Sequence, residues 1–135
     1  MPAPRYTPGN PKLPFCEAVR VGDVLYLSGQ IGSPPSDPMH LVEGGIDAET
    51  RQALENVRAV LKRAGVGMDR VFKCLVMLAD MGDWEAMNRA YLAAFEGHKP
   101  ARSCFGSSGL ALGARIEIEC VAWLGEALIP PGNER

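Results

Sequence analysis

Arg115-Ile116-Glu117-Ile118-Glu119-Cys120-Val121-Ala122-Trp123-Leu124 is the stretch that decides how this chain folds. It is rich in β-favouring residues, and side chains alternate between faces along a strand. Ile116, Ile118, Cys120, Ala122 and Leu124 form one row, entirely apolar. Glu117, Glu119, Val121 and Trp123 form the other, two carboxylates beside two large apolar groups. The first row suits packing beneath helices. The second carries apolar area that needs a covering of its own.

Working outward, Ala101–Ser107 reads as a further strand, joined to 115–124 by a Gly-rich connection. Upstream, Trp84, Met87, Tyr91 and Phe95 recur at helical spacing, with Asp83 as the expected N-cap and Gly97 as the stop. Val71–Leu78 is short and almost continuously apolar, the pattern of a strand buried on both faces. Leu54, Val57, Leu61 and Ala64 mark another amphipathic helix, with Asp47 as expected N-cap, Glu49 in the first turn and Gly65 at the end. Phe15–Val21 and Asp23–Ser28 read as two strands about a Gly22-Asp23 turn, and Gly29-Gln30-Ile31-Gly32 ends the second. Residues 33–45, with Pro34, Pro35, Pro38, Gly44 and Gly45, read as a loop.

The order is β-β-α-β-α-β-β, an α+β arrangement. Right-handed crossovers put both helices on one face of the sheet. No third helix is available for the other face, so Val121 and Trp123 are expected to be buried by another subunit.

Size and composition bound the function. The 135 residues make one domain, with a core at about 13–125, an extended proline-rich arm at 1–12 and a frayed tail at 126–135. Hydrophobic residues are 47% and charged residues 22%, which excludes a disordered chain. A net charge of −2 with no Lys/Arg stripe argues against a nucleic-acid partner. No apolar run is long enough to span a membrane, and the first residues lack the apolar stretch of a signal peptide, so a cytoplasmic protein is expected. Cys16, Cys74, Cys104 and Cys120 are widely spaced and His40 and His98 stand far apart, so no metal site is expected. Four free thiols in a reducing compartment fit this pattern. Gly 15 and Pro 11 are well above the usual share of roughly 12% for the two together. Gly29, Gly32, Gly106 and Gly109 cluster around the segments that carry the candidate chemistry.

That chemistry lies in the last two strands. If 101–107 and 115–124 pair across a turn near residues 110 and 111, Arg102 faces Glu119 and Cys104 faces Glu117. Two readings follow. One is a cross-strand ion pair on a solvated face. The other is an arginine that clamps a substrate carboxylate through its planar fork, beside a glutamate acting as acid–base.

Pro100-Ala101-Arg102-Ser103-Cys104-Phe105, a spacer ending Gly109-Leu110, and Ile116-Glu117-Ile118-Glu119 together closely resemble the signature of the Rid/YjgF family of imine deaminases. Leu27-Ser28-Gly29-Gln30-Ile31, Asn56-Val57, and Asp83-Trp84 with Asn88, Tyr91 and Phe95 extend the resemblance over about residues 14 to 124. It implies a chorismate-mutase-like mixed sheet with two helices on one face, assembled as a homotrimer with active sites in the clefts between subunits. It implies hydrolysis of small 2-imino acids to 2-oxo acids and ammonia, without metal or cofactor. On this sequence Arg102 would bind the carboxylate and Glu119 would activate the water. Backbone groups at Cys104 would hold the imine end, and Ser28, Gly29 and Phe15 would border the pocket. Where the deaminase subgroup has a tyrosine after Gly-Pro, this chain reads Leu13-Pro14-Phe15, so that hydroxyl is missing. Gly106-Ser107-Ser108-Gly109 replaces bulkier residues of that subgroup. Two other readings stand beside the enzyme: a trimeric binding module for 2-oxo acids or related carboxylates, and RNA cleavage, an activity of some relatives.

Overall fold

The computed structural model describes residues 3–126 and 129. Of the expected tail at 126–135, residues 127, 128 and 130–135 lie outside the described residues. The chain forms β1 (Arg5–Thr7), β2 (Ala18–Val21), β3 (Val24–Leu27), β4 (Gln30–Ile31), α1 (Gly45–Arg63), β5 (Val71–Leu78), α2 (Trp84–Phe95), β6 (Ala101–Gly106) and β7 (Ile116–Trp123). All strands join one sheet in the order β1-β2-β3-β7-β5-β6, with β4 also paired to β7. β5 and β6 are parallel and the other pairs antiparallel, so the sheet is mixed.

Both helices lie on one face, as the two rows of β7 require. Ile116, Ile118, Cys120 and Ala122 are fully buried under them, in one core with Leu54, Val57 and Leu61 of α1 and Met87, Tyr91 and Phe95 of α2. Each buried leucine of this kind contributes about 1.5–3 kcal/mol. Cys74 and Cys120 are cross-strand partners within that core, free thiols in hydrogen-bond contact with their sulfurs 3.5 Å apart.

Several sequence expectations are corrected. The last two strands do not form a hairpin. β6 is the parallel edge strand of a crossover from β5 through α2, and β5 lies between β6 and β7. Residues 107–115 carry the chain past the end of β5, through a short helical turn at Ala111–Gly113 in which Leu112 has φ 58°. β5 is buried on one face only: Val71, Cys74, Val76 and Leu78 face the helices, while Lys73, Leu75 and Met77 lie in the opposite row. The N-terminal arm is more than an extended tail, since Arg5–Thr7 pairs with β2 as an edge strand between Pro4 and Pro8. The first strand of the expected hairpin begins at Ala18 rather than Phe15, although the two-residue turn at Gly22-Asp23 forms, with Gly22 at φ +59°. α1 starts two residues before Asp47, whose carboxylate pairs instead with Arg51 at 2.5 Å. Asp83 occupies the N-cap position of α2 without a side-chain cap bond.

The second face of the sheet carries Tyr26, Leu75, Met77, Phe105, Glu117, Glu119, Val121 and Trp123, and no helix of the described residues packs on it. Tyr26 is 50% and Phe105 46% exposed there.

Candidate active site

Three tertiary arrangements position the residues singled out from sequence. The first is the bend between β3 and β4. Tyr26 pairs with Val121 and Gln30 with Ile118, which leaves one extra residue on the β3–β4 side. The strand therefore bends at Ser28-Gly29. The Ser28 hydroxyl donates to the Cys16 carbonyl at 2.7 Å, and its N–H donates to the Glu17 carbonyl at 3.0 Å. These bonds tie the bend to the segment that carries Phe15, whose ring is 53% exposed.

The second arrangement is at β7. Gly29 lies so close to Glu117 that a β-carbon on it would overlap the carboxylate oxygen Oε2. Burial pushes the Glu117 carboxyl above the usual carboxylate range, and the charge of Glu119 pushes it further. Glu119 is exposed, opposite Leu75. The start of β7 is anchored by Glu49, a carboxylate buried in α1. It accepts the Arg115 backbone N–H at 2.9 Å, and the Arg115 guanidinium lies 3.9 Å from Glu49 and 3.8 Å from Asp83. Gly32 packs against Glu49 and not against the candidate residues.

The third arrangement is at the free edge. Arg102 on β6 shares a row with Cys74 and Cys120, so its side chain lies on the helix face. Its guanidinium carbon sits 4.9 Å from the Trp84 ring centre and 4.8 Å from that of Tyr91, and Nη1 is 3.8 Å from the Met87 sulfur. Among the described residues no carboxylate pairs with Arg102. Cys104 is half-buried on the same side. Burial pushes its thiol up, against the opposing pull of Arg102, so it stays protonated and unsuited to nucleophilic attack.

The structure thus brings together Ser28, Gly29 and Glu117, and separately Arg102 and Cys104. It does not bring Arg102 to Glu119: with β5 between their strands they stand about 10 Å apart across the sheet and on opposite faces. Glu117 is a further candidate that sequence reasoning did not single out. It shares a face with Glu119, and alternation cannot rank two members of one row. Only the approach of Gly29 from the neighbouring strand distinguishes them.

Two cavities beside β2 are lined by none of these groups. One, of about 220 Å³, is lined by Ala3, Arg5, Arg20, Gly22 and Asp23. The other, of about 60 Å³, lies among Thr7, Glu17, Ala18, Leu25, Val60, Arg63 and Ala64. Among the described residues no group of three or more His, Cys, Asp or Glu is placed to hold a metal ion. No helix there is long and apolar enough to cross a membrane.

Comparison with known proteins agrees with this architecture. The family described as Endoribonuclease L-PSP matches residues 7–124. The chain belongs to this family, the one its motifs identified as Rid/YjgF. Its relatives include the 2-iminobutanoate/2-iminopropanoate deaminases of Mus musculus, 42% identical over 81% of this chain and 80% of that protein, and of Homo sapiens, 43% identical over 81% and 79%. Among solved structures, a Rid-family protein of unknown function from Yersinia pestis aligns with a TM-score of 0.82 at 34% identity, covering 90% of this chain and 99% of that one. E. coli TdcF with bound serine aligns with a TM-score of 0.78 at 29% identity, covering 87% and 93%.

Proposed function

We propose that this chain is a cofactor-independent imine deaminase that hydrolyses small 2-imino acids to 2-oxo acids and ammonia. The observation that carries the reading is Glu117, a half-buried carboxylate pushed up by burial and by the charge of Glu119 and pressed against the bare backbone of Gly29. A carboxylate pushed up in this way is a better proton acceptor than an ordinary one, which suits it to take a proton from water and return it. In the reaction water adds across C=N and Glu117 takes the water proton. That proton passes to the imine nitrogen, giving a carbinolamine; Glu117 then takes the hydroxyl proton and returns it to the same nitrogen as the C–N bond breaks, so that the C=O of the 2-oxo acid forms and ammonia leaves. Arg102, with which no carboxylate of the described residues pairs, holds the substrate carboxylate. Cys104 lines that end as a neutral thiol, Ser28 and Gly29 border the other, and Phe15 walls it. Glu119, expected from sequence to activate the water, is on this reading the neighbour whose charge sustains the raised Glu117.

Because Arg102 and Glu117 face opposite sides of one sheet, the reading requires each site to draw on two copies of the chain. The uncovered face bearing Tyr26, Val121 and Trp123 supports a homotrimer that supplies them. The names of the mammalian relatives support the substrate class, and the serine bound to E. coli TdcF, a small amino-acid carboxylate, is in keeping with it.

The test generates 2-iminopropanoate with an amino-acid oxidase and follows its loss in competition with semicarbazide. Glu117→Gln is expected to lower the rate by about 100-fold or more. Arg102→Ala is expected to cost about 2–5 kcal/mol of transition-state stabilisation. No acceleration by the wild type, or full activity in Glu117→Gln, overturns the reading. Retained binding of pyruvate without turnover by the wild type would favour the carboxylate-binding module.

A further inference from the structure

Trp84, Met87 and Tyr91 lie on one stripe of α2, three and seven residues apart. Seven residues of helix rise about 10.5 Å. The Arg102 guanidinium carbon is 4.9 Å from one ring centre and 4.8 Å from the other, so it occupies the gap between them, above the Met87 sulfur. An arginine side chain on an edge strand ordinarily explores many rotamers, and this one is held between two π faces. The two rings differ in setting. Tyr91 is 5% exposed and its hydroxyl, pushed up by burial and by the neighbouring Cys74 thiol, stays protonated. It offers a ring and no chemistry. Trp84 is 39% exposed, so little of the fold depends on it.

We infer that Trp84 and Tyr91 are positioning residues for Arg102: their rings clamp the guanidinium and fix the direction in which its remaining N–H groups point. The inference rests on the reading that Arg102 binds the substrate carboxylate. An aromatic clamp suits this task better than a carboxylate would. It holds the cation without neutralising it, so the full charge stays available to the incoming anion. It also pays in advance part of the ordering that carboxylate capture requires.

The test is a double-mutant cycle with the imine assay. Trp84→Ala is expected to lower kcat/KM by about 5- to 20-fold, and Trp84→Phe to recover most of that loss. In an Arg102→Ala background Trp84→Ala is expected to have no further effect. An equal loss in both backgrounds, or no loss in either, overturns the clamp. If Arg102→Ala is itself fully active, the functional reading has failed, and the clamp is then judged by NMR. The Arg102 Nε–H proton is expected to be shifted upfield by ring currents in the wild type and to move part of the way toward the position of a free arginine in Trp84→Ala, where the Tyr91 ring remains. A proton unshifted in the wild type overturns the clamp without reference to turnover.

Discussion

The α-carbon of Gly29 rests against the carboxylate of Glu117, leaving no space for a side chain between them. The contact joins the bend after β3 to the start of β7. Gly29→Ala is therefore expected to displace the end of a flexible side chain rather than backbone. Stability should change by less than about 1 kcal/mol while deaminase activity falls at least about 10-fold. Chemical denaturation beside the imine assay checks both halves, and unchanged activity would separate Glu117 from the chemistry.

The charge of Glu119 helps to raise Glu117, and this sets a pH dependence. A base must be deprotonated to act, so kcat/KM should fall as pH drops through the Glu117 pKa. Glu119→Gln removes a negative charge that favours the protonated form. The Glu117 pKa then falls, and the acidic limb of the profile moves to lower pH with activity largely retained. A limb that stays in place, or moves upward, would show that Glu117 is not the titrating group.

Phe15 stands where the deaminase subgroup carries a tyrosine, at a position bound to the bend through Cys16 and Ser28. Phe15→Tyr adds one hydroxyl at an exposed ring and is expected to raise kcat/KM several-fold, about the effect of one hydrogen bond to substrate or water. Steady-state comparison with wild type measures it. A tyrosine variant slower than wild type would mean that this pocket is built for an apolar wall.

Tyr26 pairs with Val121 on the face that no helix covers. Tyr26→Asp places a charge in that face without entering the core under the helices. Light scattering coupled to gel filtration should show dissociation of the proposed trimer, with loss of activity and retained secondary structure. A trimer that survives would move the interface elsewhere.

Much of this was legible in the sequence, and the omissions have physical causes. The two rows of 116–124 disclose both the core under the helices and the uncovered face, because alternation is local to a strand. Strand order is not local. A glycine-rich connection between 107 and 115 reads as a hairpin turn, yet β6 gains more by pairing in parallel with β5 along its whole length, through Lys73–Leu78 opposite Ala101–Gly106. That placement turns Arg102 toward α2 and away from Glu119. The short strand at Arg5–Thr7 is hidden by its flanking prolines, which an edge position tolerates. Glu117 and Glu119 are equivalent by parity, and their separate roles come from contacts made by Gly29 on another strand.

The central claim is that a working site takes Arg102 from one copy of the chain and Glu117 from another. Complementation between two inactive variants tests it most directly. Arg102→Ala and Glu117→Gln chains, unfolded together in equal amounts and refolded as mixed assemblies, should regain about a quarter of wild-type activity, because random assortment leaves that share of shared sites intact. Mixed assemblies as inactive as the separate variants would contradict the account, since they would place both residues of each site in a single chain.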